Sequence, residues 1–480
     1  MRKTKVVCTV GPACDEVEIL MQMIEAGMDV ARFNMSHGAG NALKERIQKV
    51  KEAAERCGKT VALLIDTKGP EVRVGTFEGG FVVLENNQLF RLHREAGKGD
   101  ETGTSLSYPR LIDYLKALPE DRSRGMQILL DDGKILAEIT NVEDDFIECV
   151  VKQGGRLSSR KSINLPDFNI PMPYISSADR EDIEFGLKQG VDYIAASFVR
   201  SPDDVIKLRD FVDSLGYEDV EIISKIENQQ GVDHIDQIID VSDGIMVARG
   251  DMGVEIPFIQ LPAIQKSIIR KCVSKGKYVI TATQMLESMT ASPRPTRAEI
   301  SDVANAVFDG TSAVMLSGES AAGKFPVESV RAIASICEEA EANQEYLDLQ
   351  EFVTASASRA GSIRETLCQA AKTAAENVGA SAIIVESMTG RSARIMTHYR
   401  PNIPIIAVVI DEKVCRKLSL NWGIRAILGE EKEPGSEVTK QAIEKALETG
   451  IVKKGDYVVI LSSNYVLPTS NTDTLNIRIV

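Results

Sequence analysis

Two stretches put ionisable groups among residues that otherwise belong in a core: "EIISKIENQQG" at 221–231 and "DGIMVARGDMGVEIP" at 243–257. Lys225 and Glu227 lie two apart in an apolar run, and Asp251 closes a second such run. Side chains alternate faces along a strand, so Lys225 and Glu227 point the same way. Glu227 and Asp251 make a donor pair for a hard cation such as Mg2+, which takes few carboxylates and keeps positions for substrate oxygens. Lys225 beside them sets a compact positive charge where anionic charge moves. The competing reading is a structural ion-pair cluster, because charged residues are seldom buried unless paired.

Other polar residues stand at the ends of similar runs. "ARGDMG" offers backbone N–H groups around Gly250 and Asp251 if it turns into a short helix, an end that binds carboxylates or phosphates. Thr283 in "TATQMLESM" and Ser317 in "MLSGES" are hydroxyls that bond a substrate or merely cap a turn. In "ARFNMSHG" alternation puts Arg32, Asn34 and Ser36 on one face, and "DTKGPEVR" adds Asp66, Thr67 and Arg73. Oxygen ligands of that kind suit a monovalent or hard cation, while arginine suits a phosphate. "GESAAGKF" nearly fits a phosphate-binding loop, but Phe325 occupies the place of the metal-binding hydroxyl, so that reading is rejected.

The elements that must position these residues follow from periodicity. Apolar runs ending in small or polar residues recur at 5–11, 29–36, 60–69, 192–199, 221–228, 244–251, 277–284 and 312–320. Stretches of helical spacing lie between most of them, such as "ALKERIQKVKEAAERCG" with its closing glycine. Strand alternating with helix predicts a parallel sheet with right-handed crossovers. Eight units predict a closed (β/α)8 TIM barrel within an α/β chain, with a doubly wound sheet as the alternative. The chemically interesting residues fall at C-terminal strand ends, the face where a barrel carries its active site.

From Pro70 to about 168 the pattern changes to short β-type runs, with "LDDGKI" reading as a hairpin turn. We read a small inserted β-barrel domain at 70–168, a lid over a barrel formed by 1–69 and 169–345. The remainder, 346–480, reads as an α/β regulatory domain with five strands, "SAIIVES", "IPIIAVVI", "IRAILG", "YVVILSS" and "LNIRIV".

Bulk properties narrow the functional classes. The 480 residues carry 56 Lys+Arg against 70 Asp+Glu, a net charge of −14. A nucleic-acid-binding surface, which needs clustered positive charge, is therefore not expected. Eight scattered cysteines without a CxxC pair and four histidines argue against a zinc site or disulfide framework. No signal peptide and no run of 18 apolar residues is present, so a cytoplasmic protein away from membranes is expected.

Taken together, "CTVGP", "ARFNMSHG", "IDTKGPEVR", "ISKIEN", "GIMVARGDMGVEIP", "ITATQMLESM", "PRPTRAE" and "VANAVFDGTSAVMLSGESAAGKFPVE" resemble the pyruvate kinase family over the whole chain. The resemblance implies transfer of the phosphoryl group of phosphoenolpyruvate to ADP, giving pyruvate and ATP. It implies that Lys225 and Arg32 meet the phosphoryl group, and that Glu227 and Asp251 hold Mg2+ (or Mn2+). Gly250, Asp251 and Thr283 would bind the substrate, with Thr283 or Ser317 relaying a proton to the enolate through water. Arg73, Lys161 and His37 would meet the nucleotide. Asn34, Ser36, Asp66 and Thr67 would hold K+, and Glu71 matches the potassium-dependent members. Ser387, Thr389, Gly390, Arg391 and Ser392 would cradle an activating sugar phosphate, fructose 1,6-bisphosphate being the family's commonest, with "LPTSNTDT" (467–474) folding over it. A homotetramer is implied, and so is the absence of the additional C-terminal domain of some bacterial relatives. Cys14, Ser162 and Asp167 depart from the family's pattern. The rival functions are a Mg2+-dependent enolate lyase or aldolase, which has no use for Lys225, a K+ site or a nucleotide lid, and a non-catalytic metabolite sensor.

Overall fold

A computed structural model describes residues 1–36, 40–166, 168–343, 362–432, 436–463 and 472–480. Eight parallel strands close on themselves: β1 (Lys5–Thr9), β2 (Val30–Asn34), β3 (Ala62–Asp66), β4 (Tyr193–Ala196), β5 (Glu221–Ile226), β6 (Gly244–Ala248), β7 (Tyr278–Ala282) and β8 (Ala313–Leu316). The ring is sealed where β1 meets β8, with Lys5 opposite Ala313 and Cys8 opposite Leu316. This closure decides for the barrel over the doubly wound sheet. Each of the eight expected apolar runs supplies one strand.

Helices cover the outside, so the strands are buried on both faces and read as continuous apolar runs. Alternation still sorts the side chains. Val6, Cys8, Phe33, Leu63, Ile194 and Ile222 pack outward against the helices. Val7, Val30, Leu64, Tyr193, Ala195, Ile223, Met246, Ile280 and Met315 fill the interior. Continuing the inward positions by two reaches Thr9, Arg32, Asp66, Ser197, Lys225, Ala248, Ala282 and Ser317. The uppermost interior layer is thus charged and polar on one side and small on the other.

The segment after β3 forms a seven-stranded sheet with its own core of Val72, Phe90, Leu92, Ile128, Ile139 and Ile147. Leu130 pairs with Ile135 across a loop of four residues, not two, and Asp131, Asp132 and Gly133 all have positive φ. The salt bridges from Lys134 and Lys161 to Asp131, at 3.2 and 2.9 Å, hold that loop. Two short helices, Arg110–Lys116 and Glu120–Ser123, depart from the expected all-β pattern. Leu111, Ile112 and Leu115 recur at helical spacing and anchor the first of them in the core.

The C-terminal sheet contains five strands in the order 424–428, 405–409, 382–386, 457–462 and 474–479, the last antiparallel. This domain seals the N-terminal end of the barrel. Leu420 enters the interior cluster, Tyr193 donates to the Lys417 carbonyl (2.5 Å), and Lys5 donates to that of Ile424 (2.6 Å). Arg394 lies 2.6 Å from Glu221 at the start of β5, and Tyr278 donates to the other oxygen of that carboxylate (3.0 Å). All eight cysteines are free thiols. Among the described residues no helix is long and apolar enough to cross a membrane.

His398 sits in this interface against Gly276, whose φ of +67 and close approach to the imidazole leave no room for a side chain. Burial, aided by Arg400 and Lys277 against the Gly276 bond and Glu365, pushes the His398 pKa down to about 4. On acidification the unfolded chain binds this proton first. The contribution to stability is complete above 6.5 and fades as pH falls toward 4, by on the order of 1 kcal/mol per pH unit. Urea unfolding at pH 7 and pH 5 should show a smaller acid loss for His398→Gln than for the wild type. Equal losses would refute this assignment.

Candidate active site

The residues at the C-terminal barrel end meet around a cavity of about 280 Å³. Asp66, 1% exposed, lines it from the end of β3. One carboxylate oxygen accepts from Arg32 Nε (2.7 Å), and the other accepts from Lys225 Nζ (2.9 Å) and Ser197 Oγ (3.1 Å). Arg32 also donates to Thr9 Oγ1 (2.8 Å), and Lys225 to Ser197 Oγ (2.7 Å). Burial alone would raise the Asp66 pKa, but the Arg32 and Lys225 charges outweigh it and hold the carboxyl below its usual range. Burial likewise opposes the Lys225 charge, but Asp66, Glu227 and Asp251 together hold its pKa above the ordinary lysine value. The ammonium stays charged while almost fully enclosed.

Glu227 is fully buried, and its two oxygens differ. Oε2 accepts from the Phe198 N–H (2.6 Å), a residue held at φ +54. Oε1 lies 2.9 Å from Lys225 Nζ, an ion contact, and has no hydrogen-bond partner among the described residues. Burial raises the Glu227 pKa to about 8; Lys225 opposes this and the Asp251 carboxylate adds to it. A buried oxygen without a donor, beside a second carboxylate, fits a hard cation better than it fits a closed ion-pair cluster. Among the described residues no group of three His, Cys, Asp or Glu side chains gathers as a metal cage. The pair thus suits an ion that retains several ligands from substrate or water.

Asp251 stands in the first turn of the helix Arg249–Glu255, directly after β6. There the Gly250 N–H donates to Thr283 Oγ1 (2.7 Å), so the ends of β6 and β7 are tied at the rim. Ser317, after β8, keeps its hydroxyl buried without a partner, while its N–H donates to Glu319 (2.7 Å). Asn34, Ser36, Asp66 and Thr67 line the cavity's other side, Asn34 Oδ1 accepting from the Ser36 N–H (2.9 Å). From the inserted domain come Arg73, bound to Glu71 (2.6 Å), and Lys161, bound to Asp131 (2.9 Å). Burial raises the Glu71 pKa, with Arg73 opposing.

Arg32, Asn34, Ser36, Asp66, Thr67, Arg73, Lys161, Lys225, Glu227 and Asp251 thus share one cavity, with Gly250 and Thr283 joined to each other at its edge. His37 lies outside the described residues. Ser387, Thr389, Gly390, Arg391 and Ser392 are in the other domain, where Gly390 (φ +73) leads into the helix Arg391–His398. Ser392 Oγ is paired with Thr472 Oγ1 at 2.5 Å; Thr472 belongs to the 467–474 loop, whose residues 467–471 lie outside the described ones. Sequence reasoning did not single out Ser197, Phe198, Lys68 or Asp132, all of which line the cavity. Ser197 was within reach, being the next inward position after Tyr193 and Ala195.

Comparison with known proteins gives a consistent picture. A family model described as "Pyruvate kinase, barrel domain" matches residues 1–330, and one described as "Pyruvate kinase, alpha/beta domain" matches 365–478. A pyruvate kinase of Bacillus licheniformis is 46% identical over 463 residues, covering 96% of this chain and 77% of the relative. A pyruvate kinase of Clostridium acetobutylicum is 44% identical over 485 residues, covering both chains completely. Among solved structures, a pyruvate kinase from Cryptosporidium parvum superposes with a TM-score of 0.91 at 38% identity, covering 100% of this chain and 96% of that one.

Proposed function

The chain belongs to the pyruvate kinase family, and on that premise we propose that its barrel-end cavity transfers a phosphoryl group from phosphoenolpyruvate to ADP. The observation that carries this reading is the buried Lys225 ammonium, held between Asp66 and Glu227 on the inward layer beside Asp251. Phosphoryl transfer asks a protein mainly for positioning and charge neutralisation. Lys225 and Arg32 face the migrating group from one wall. Glu227 and Asp251 would hold Mg2+ or Mn2+, which supplies charge to the substrate oxygens when bound. The Gly250 N–H and the Thr283 hydroxyl would donate to the substrate carboxylate in exchange for their bonds to Thr283 Oγ1 and the Ala282 carbonyl. Thr283 and Ser317 are the two hydroxyls that support proton delivery to the enolate carbon through water. Arg73 and Lys161, from the inserted domain, meet the nucleotide phosphates, with His37 as a third contact. Closure of that domain excludes water, so the phosphoryl group passes to ADP instead of being hydrolysed.

Asn34, Ser36, Asp66 and Thr67 would hold K+, with Glu71 near the same cavity. The loop at Ser387, Thr389, Gly390, Arg391 and Ser392 supports a sugar-phosphate effector, because a left-handed glycine opens a helix there. The assembly is read as a cytoplasmic homotetramer, the location resting on free cysteines and the family's glycolytic chemistry. A coupled assay with phosphoenolpyruvate, ADP, Mg2+ and K+ tests the central claim; absence of ATP formation defeats it. Activity should collapse when K+ and Na+ are replaced by tetramethylammonium. Undiminished turnover there would remove the K+ site. A thermal-shift series with sugar phosphates tests the effector.

A further inference from the structure

We propose that Arg249 is a positioning residue for the substrate-carboxylate end of the site, anchored from outside the barrel by Asp302. Its side chain leaves the first turn of the helix Arg249–Glu255 and crosses the end of the neighbouring strand β7. Nε donates to the Ala282 carbonyl (3.3 Å) and Nη2 to the Thr283 carbonyl (2.7 Å), so two consecutive carbonyls are held by one guanidinium. Nη1 is bound to both oxygens of Asp302, at 2.8 and 2.7 Å, on the helix Arg297–Phe308. Arginine suits this task because its donors are fixed in one plane, whereas an ammonium is a single point on a flexible stem.

What the guanidinium holds is unusual backbone. Thr283 has φ +68 and Gln284 φ +54, a left-handed pair that begins with a β-branched residue. Such residues avoid this region, and the conformation persists only where the surroundings over-determine it. Here it turns Thr283 Oγ1 so that it accepts from the Gly250 N–H (2.7 Å) and donates to the Ala282 carbonyl (2.6 Å). Gly250 follows Arg249 in the chain and Asp251 follows Gly250. A single side chain therefore sets the amide, the hydroxyl and the backbone of the second metal-binding carboxylate in register. Asp302 touches none of the cavity and acts only through Arg249.

The proposal rests on the reading of Gly250 and Thr283 as the carboxylate-binding pair. Steady-state kinetics of the full-length wild type, Arg249→Lys, Arg249→Met and Asp302→Asn test it, with the KM for phosphoenolpyruvate and for ADP measured separately. Misalignment at a reacting centre costs about 10- to 100-fold. Arg249→Met should raise the phosphoenolpyruvate KM by such a factor while the ADP KM stays near wild type. Asp302→Asn and Arg249→Lys should move in the same direction by less, with melting temperature kept. A phosphoenolpyruvate KM unchanged in Asp302→Asn and Arg249→Lys overturns the proposal. So does an equal rise of both KM values with a lowered melting temperature, which marks a merely structural role. A wild type that forms no ATP overturns the parent reading itself, so the two failures are distinguishable.

Discussion

Replacing Lys225 by methionine should cut turnover by roughly 10³- to 10⁵-fold, the scale seen when a preorganised positive charge is removed from a transferring phosphoryl group. The chain length is nearly conserved, so the cavity keeps its shape and the loss is electrostatic. Asp66 retains Arg32, but Glu227 loses the ammonium that lies 2.9 Å from its Oε1. Removing one partner of a buried ion pair costs up to about 3–5 kcal/mol, and protonation of Glu227, whose pKa burial already raises to about 8, lowers that cost. The metal-free variant should therefore melt at a lower temperature and recover part of that loss when Mg2+ is added. Turnover within tenfold of wild type would remove Lys225 from the chemistry and return the cluster to a structural role.

Glu227→Gln should separate stability from function. An amide has almost the same shape as the carboxyl group, can still accept from the Phe198 N–H, and removes the ionisable group beside Asp251. The metal-free variant should be at least as stable as wild type, in contrast to Lys225→Met. Its affinity for a divalent ion should fall steeply, because a hard cation loses one of two anionic ligands. Turnover at millimolar Mg2+ should drop by about 10²-fold or more, the scale of losing a charge-stabilising group. Isothermal titration with Mg2+ or Mn2+ and urea unfolding measure the two halves independently. Unaltered ion affinity would show that Glu227 is no ligand; a large loss of stability would show that its charge holds the barrel end together.

Much of the fold was legible because parallel strands buried on both faces announce themselves as apolar runs. Several of the runs end at a residue that a core would not accept, such as Asp66, Lys225 or Asp251. Period-two alternation placed Lys225 with Glu227 and Arg32 with Asn34 on common faces. It did not say that Asp66, one strand from Arg32 and two from Lys225, would receive both, since sequence carries no measure of distance across a barrel. Ser197 escaped notice because a serine after "IAA" carries no charge to stand out. Arg249 escaped because its partner, Asp302, lies in a helix 53 residues further on. The two helices in the inserted domain were hidden by the β-type runs around them, each being too short to show several turns of periodicity.

The closed lower end of the barrel bears on how far the chain can be recombined. Leu420 packs inside the barrel and Arg394 faces Glu221, although both belong to the C-terminal unit. A fragment cut at the 345/346 boundary would expose a hole and strand a buried acid, so that boundary is not a clean seam for cutting. Chimeras that exchange C-terminal domains between relatives should fold only when the incoming domain brings its own counterpart to this stopper and its guanidinium.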